Sequence, residues 1–341
     1  MNQLSSLLTI AHPIVQGPFG GGISTVDLTV AVSDSGGLGS FGAHILRPDQ
    51  IREVVRSIRS RTVMPFSVNL WVPQLGESDV VDLQPHIRRL APLYAQLGVE
   101  WVGEIAAVPD FDEQLDALLE SAPPVISFVM GLPPAWAIER ARSEGIVLIG
   151  TATTVDEART IEALGLDAVV ASGSDAGGHR GAFLRPVSES LVGTFSLVPQ
   201  VADAVRIPVI AAGGIADRRG IRAAHALGAD GVQIGTGFLA TAESGASDVH
   251  REKLASPDAE YTVLTRLFSG RHARGIVNAL IRDLASEENA VPHYPIQNAL
   301  MQPLRQAAAQ LGDGDYLNLW AGQAAPLARA RSAAEYFDSL L

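Results

Sequence analysis

The sequence contains no cysteine. Disulfides, thiolate nucleophiles and cysteine-ligated metals are therefore excluded. Basic residues are in the minority, with 25 Lys and Arg against 37 Asp and Glu and a formal charge of −12. No basic patch offsets that balance, which argues against a nucleic-acid partner. No apolar run reaches the roughly 18 residues needed to span a bilayer, so no membrane partner is expected. The N-terminal stretch MNQLSSLLTI lacks a basic start and a long apolar core and does not read as a signal peptide. A cytoplasmic protein is the expectation. No pair of histidines has metal-ligand spacing such as HExxH, and no metal is expected. GxSxG is absent, and the P-loop pattern lacks its Lys-Ser/Thr. GLGSFG at 37–42 matches GxGxxG only by letters, because it spans a short strand and opens no helix.

What remains is rich in apolar residues, 47% of 341 positions, enough for a large core. Strand-like runs recur at 13–17, 37–41, 65–71, 99–104, 124–130, 146–151, 168–173, 208–214 and 231–236. Between them, segments such as DQIREVVRSIRS and TVDEARTIEALG carry helical periodicity. Asp156 stands where a first-turn carboxylate favours a helix dipole. Strands alternating with helices imply parallel βαβ units, and runs such as PVIAA suit strands buried on both faces. The pattern predicts a (β/α)8 TIM barrel from eight of the nine runs, 99–104 being the weakest. After Ala240 the alternation stops. We expect a barrel over 1–240 and 304–341 with a mainly helical insertion or cap over 241–303. Composition leaves the oligomeric state open.

Chemistry concentrates at the strand ends. VIAAGGIAD ends in Gly213 and Gly214 with a helix starting near Asp217, and GVQIGTGFLA ends in Gly235 and Thr236. Two successive barrel strands ending in glycine suit a phosphate held by backbone N–H groups and a helix N-terminus. QGPFGGGIST places Gly17, Pro18 and Phe19 in a loop that is either a platform for a flat ring or a plain surface loop. Asn69 and Gln233 lie inside apolar strands and need partners. The stretch SGSDAGGHRG, from Ser172 to Gly181, surrounds His179 with four glycines, including Gly177 and Gly178. That excess suggests a close approach to the backbone, and His179 can exchange protons near neutrality. The other seven histidines lack such surroundings. Tyr261, Arg271 and Tyr294 are candidates for an entrance or for ordinary surface.

Taken in order, PIVQGPFGG, FSVNLW, ASGSDAGGHRG, VIAAGGIADRRG and GADGVQIGTGFLA resemble the nitronate monooxygenases, formerly 2-nitropropane dioxygenases. SGRHARGIVNALI, YPIQNAL and LNLWAGQ resemble their C-terminal part. The resemblance covers most of the chain. It implies an FMN-dependent barrel that oxidises alkyl nitronates, or nitroalkanes, with O2 to a carbonyl compound and nitrite, propionate 3-nitronate being one such substrate. The FMN contacts it implies fall on Asn69, Gly177, Gly214, Gln233, Gly235 and Thr236, with Gly17, Pro18, Phe19, Ser172, Gly178 and Gly213 beside them. His179, in the GGH motif, is implied as the catalytic base. Its neutral form would take the α-proton of a nitroalkane, and its imidazolium would hold a nitronate. Many members carry glutamine at Ser172, methionine at Phe19 and glutamate at Asp175. Two other readings stay open. One is an NAD(P)H-dependent FMN reductase of enoyl-ACP or quinone type. The other is a barrel that binds a phosphate ligand without catalysis.

Overall fold

Apolar strands and amphipathic helices alternate in the computed structural model, which describes residues 2–74, 82–101, 105 and 108–341. Its strands in chain order are β1 (Ile14–Gln16), β2 (Gly39–Gly42), β3 (Phe66–Trp71), β4 (Val125–Val129), β5 (Val147–Ala152), β6 (Ala168–Ser172), β7 (Gly178–His179), β8 (Val209–Ala212), β9 (Gly231–Ile234), β10 (Thr262–Thr265) and β11 (Ala273–Ile276). Eight of them form one parallel sheet in the order β1-β9-β8-β6-β5-β4-β3-β2. A parallel bridge between Val15 and Leu38 joins its two ends into a barrel. These are eight of the nine runs expected from sequence. In the ninth, Val99 to Trp101 carry no strand, and 102–104 lie outside the described residues.

The barrel interior is filled at its N-terminal end. Helix Gln3–Leu8 sends Leu4 and Leu8 beneath inward-facing Val15, Leu38, Val125, Ile149, Ala168, Val170 and Ile210. Closure there is tight. A Cβ on Gly231 would lie 2.4 Å from Leu4 Cδ2 and 2.6 Å from the Pro13 carbonyl. Toward the C-terminal end the wall residues become small or uncharged-polar, as at Asn69, Ser127, Thr151, Ser172 and Gln233, and a cavity opens.

The segment 241–303 holds helices Asp248–Leu254 and Ala279–Asp283, the start of helix Ile296–Leu311, and strands β10 and β11. The two strands pair antiparallel with each other, and β11 pairs with β7. A second apolar cluster lies beneath this segment. It runs on past residue 303 to Ala328 and recruits Leu90 and Tyr94 from helix Gln84–Gln96. Among the described residues no helix is long and apolar enough to cross a membrane.

Candidate active site

The cavity at the C-terminal mouth of the barrel encloses about 1330 Å³ including its opening. All thirteen residues singled out from sequence line it: Gly17, Pro18, Phe19, Asn69, Ser172, Gly177, Gly178, His179, Gly213, Gly214, Gln233, Gly235 and Thr236. The barrel topology brings them together, because they lie in the C-terminal parts of barrel strands or in the segments that follow them.

One side of the cavity is bare backbone. Gly213 and Gly214 take positive φ values of 110° and 70°, which L side chains rarely adopt. At Gly235 a Cβ would meet nothing closer than Phe19 Cε1 at 3.8 Å, so protein packing does not demand glycine there. The missing side chain instead widens the cavity. Thr236 Oγ accepts from the Gly322 N–H at 3.0 Å, which leaves the hydroxyl proton to donate elsewhere. The helix N-terminus expected near Asp217 is capped from within the chain. Asp217 caps helix Arg218–Ala226 with its own carboxylate, accepting from Arg219 N and Gly220 N, and pairs with the Arg219 guanidinium. A carboxylate thus already accepts from two of the first-turn amides of that helix.

Asn69 spends its amide N–H groups on Ser127, donating to its carbonyl at 3.1 Å and its hydroxyl at 3.0 Å. Its own carbonyl oxygen remains as an acceptor. Asp175 turns away to cap helix Thr194–Ala204, its Oδ2 accepting from Thr194 N at 2.6 Å. Three of the four glycines around His179 are closely approached, as expected, while Gly178 faces open space. A Cβ on Gly177 would stand 2.4 Å from Gly322 N and 2.5 Å from Ala321 C. One on Gly173 would stand 2.4 Å from Thr194 N, and one on Gly181 would stand 2.7 Å from Val129 Cγ2. The close neighbour is the protein itself. Buried Arg180 ties this loop down through the carbonyls of Ser172, Gly173 and Ser190.

His179 occupies β7, opposite Ala273 of β11. Its Nε2 lies 2.8 Å from Ser269 Oγ. Trp71 and Trp320 meet its ring edge-on at centroid distances of 4.8 and 5.4 Å. Burial holds its pKa well below the ordinary 6.5, and Arg271, His44 and Arg305 push the same way. The neutral imidazole is therefore the resident form, and the anion-holding imidazolium considered from sequence is disfavoured. A fixed cation stands close by. Arg271 packs over the rings of Trp71 at 5.3 Å and Tyr294 at 4.6 Å. Tyr261 is exposed. Among the described residues no three His, Asp or Glu side chains gather as a metal site.

Sequence reasoning missed several neighbours. Trp71, Ser127, Thr151 and Trp320 line the cavity, and His44 lies flat on Trp71 at 3.7 Å. Trp71 was legible as the polar-tipped end of FSVNLW. His44 had no local signal, because its contact depends on β2 and β3 being neighbours.

The model of the family described as nitronate monooxygenase matches residues 1–341. The chain belongs to the nitronate monooxygenase family. A probable nitronate monooxygenase of Staphylococcus aureus is 40% identical over 100% of this chain and 96% of its own. A nitroalkane oxidase from Streptomyces ansochromogenes superposes with a TM-score of 0.91 at 39% identity, covering 99% of this chain and 96% of its own. FabK from Thermotoga maritima is more distant, with a TM-score of 0.77 at 31% identity over 100% and 94%. As a member of the nitronate monooxygenase family, the protein is an oxidoreductase of small nitro compounds, in a family of flavoproteins.

Proposed function

We propose that this protein binds FMN and oxidises alkyl nitronates with O2 to a carbonyl compound and nitrite. The observation that carries the reading is the joint placement, on one cavity, of a side-chain-free cradle and a half-buried imidazole whose pKa is held low. The residues present fit the cofactor. A Cβ on Gly235 would intrude into space the protein leaves open, and Gly213 and Gly214 present main chain in a conformation only glycine adopts readily. The amides of these residues and the Thr236 hydroxyl would hold the phosphate. Asn69 Oδ1 and the Gln233 amide would meet the polar edge of the ring, with Phe19, Gly17 and Pro18 bounding its side. Ser172, Gly177 and Gly178 would complete that wall.

Bound there, the flavin would supply the electron acceptor that no side chain offers. This chain's own residues do the rest. His179, kept neutral, takes the α-proton of a neutral nitroalkane. Arg271 sets a positive field at the same place, which favours the nitronate anion. The indoles of Trp71 and Trp320 keep water from the imidazole, and the desolvation lowers its pKa.

The test is anaerobic mixing of the purified protein with ethylnitronate, with propionate 3-nitronate and with NADPH, followed by flavin absorbance. Chromatography of an acid filtrate identifies the cofactor. Bleaching by a nitronate and not by NADPH is expected. Rapid bleaching by NADPH alone would reassign the protein as a reductase. A colourless filtrate with no turnover would leave a binding protein.

A further inference from the structure

Ser269 lies in the turn between β10 and β11, outside the cavity wall, and is buried. Its hydroxyl is nonetheless the hydrogen-bond partner of the His179 ring. Three groups surround Ser269 Oγ: His179 Nε2 at 2.8 Å, the Arg271 carbonyl at 3.1 Å and the Arg271 N–H at 3.3 Å. A hydroxyl has one proton and two lone pairs. One arrangement satisfies every contact. The Ser269 O–H donates to the Arg271 carbonyl, while the Arg271 N–H and the His179 Nε2–H both donate to Oγ. The reverse arrangement gives the serine proton to Nε2. That would take this donor from the Arg271 carbonyl and place the ring proton on Nδ1.

We infer that Ser269 is a positioning residue that holds neutral His179 as its Nε2–H tautomer, leaving Nδ1 as the atom that accepts the substrate's proton. The inference rests on the nitroalkane reading above for the word substrate and on geometry for the rest. Among the described residues the one hydrogen bond of the His179 ring is through Nε2, and Nδ1 is not among the buried polar atoms without partners, so it is open to the cavity. The two indoles that meet the ring edge-on prevent it from turning over. The turn that carries Ser269 is itself anchored. Arg305 Nη1 donates to the Phe268 carbonyl at 3.1 Å, and Gly270 N donates to the Arg266 carbonyl at 2.8 Å.

The step balances. The Cα–H bond of a neutral nitroalkane breaks, and its electron pair stays with the carbon and nitro group as the nitronate. The proton bonds to His179 Nδ1. The resulting imidazolium keeps its Nε2–H on Ser269 and later returns the Nδ1 proton to solvent.

The experiment uses holoenzyme carrying ¹⁵N-labelled histidine. Long-range ¹H–¹⁵N correlation reads the tautomer of His179, assigned by its loss in His179→Asn. Wild type is expected to show a protonated Nε2 and an unprotonated Nδ1, and Ser269→Ala a shift toward Nδ1–H. In parallel, Ser269→Ala should lower kcat/KM for nitroethane roughly 10- to 100-fold while leaving that for preformed ethylnitronate within about threefold. Ser269→Thr restores the hydroxyl and should restore both readouts. If Ser269→Ala does not fold, Ser269→Cys keeps the size, donates weakly and serves in its place. An Nδ1–H tautomer in wild type would overturn the inference, as would a variant spectrum and nitroethane rate unchanged from wild type. If wild type turns over no nitro compound, the functional reading fails, and the tautomer measurement alone decides the role of Ser269.

Discussion

His179 sits opposite Ala273 in an antiparallel ladder, so the candidate base is held by the β10–β11 hairpin and not by the barrel strand that precedes it. The backbone on either side is pinned as well. Arg180 N donates to the His272 carbonyl at 2.9 Å, and Arg274 Nε donates to the Ser174 carbonyl at 2.9 Å. His179→Asn should therefore change a side chain and leave the main chain in place. We expect the variant to keep its flavin colour and to lose at least about 100-fold in kcat/KM on neutral nitroethane, the usual contribution of a general base. Preformed ethylnitronate, which needs no proton removed, should be affected much less. Equal activity of variant and wild type on nitroethane would reject the base role.

Two glycines separate cofactor binding from packing. At Gly235 a Cβ finds no protein atom within 3.8 Å, whereas at Gly177 it would stand 2.4 Å from the backbone nitrogen of Gly322. Gly235→Ala is expected to melt within about 2 °C of wild type, as substitutions away from packed contacts do, and to purify with little flavin. Gly177→Ala should cost about 1–3 kcal/mol or more through overpacking against rigid main chain. Thermal melts and flavin absorbance per mole of protein read both effects. Full flavin occupancy in Gly235→Ala would remove that residue from the cradle.

The legible part of this protein is the part whose reasons are local. Barrel strands buried on both faces write continuous apolar runs, so β1 to β6, β8 and β9 could be found one at a time. Strand ends that release the chain into glycine could be found the same way, which is why the residues around Gly213, Gly235 and His179 meet in one cavity. Ser269 and Trp320 reach His179 from distant segments, and nothing near them in sequence marks the contact, whereas Arg271, a candidate for the entrance or for plain surface, packs over Trp71 and Tyr294. β7 is only two residues long and exists because β11 pairs with it, so no periodicity could announce it. At the helix after β8 the sequence did not show how its N-terminus is satisfied. Its amides are available in principle, but Asp217 supplies the anion from within the chain. The close approach expected from the glycines of 172–181 is made at Gly173, Gly177 and Gly181 by neighbouring protein atoms, whose identity no local sequence reveals.

Acid should weaken this fold before its carboxylates begin to titrate. Burial lowers His44 from the ordinary 6.5 to about 3 and His250 to about 4, and His179 moves in the same direction. The unfolded chain takes up these protons as pH drops below 6.5, while the folded chain does not until its own lower values. Stability associated with the three neutral rings is thus complete above about pH 6.5 and is lost as pH falls toward 4 and then 3. The slope is about 1.4 kcal/mol per pH unit for each histidine. Urea midpoints measured at pH 7, 6 and 5 should fall steadily. His250→Gln, which can keep a donor for the Trp320 carbonyl, should shallow the slope by one proton's worth. A midpoint that stays constant from pH 7 to 5 would show that these rings are solvated in the native state.

Charge on the substrate should matter more than its size. Among the described residues that line the cavity there is no Asp, Glu, Lys or Arg. An alkyl nitronate brings one negative charge, which lies in the positive field of Arg271. Propionate 3-nitronate brings a second, and its carboxylate would have to give up water against an uncharged wall of Ile23, Val129, Met130 and Leu239. Even partial desolvation of an unpaired carboxylate costs several kcal/mol, and each 1.4 kcal/mol is about tenfold in relative rate. We therefore expect kcat/KM for ethyl- or propylnitronate to exceed that for propionate 3-nitronate by roughly tenfold or more. Raising the ionic strength should change the ratio little, because a buried mismatch is screened far less than a surface one. Equal efficiency on the two substrates would mean that a cation reaches the cavity during turnover. Arg271, the nearest guanidinium to His179 by its effect on the ring, would then be the first residue to replace.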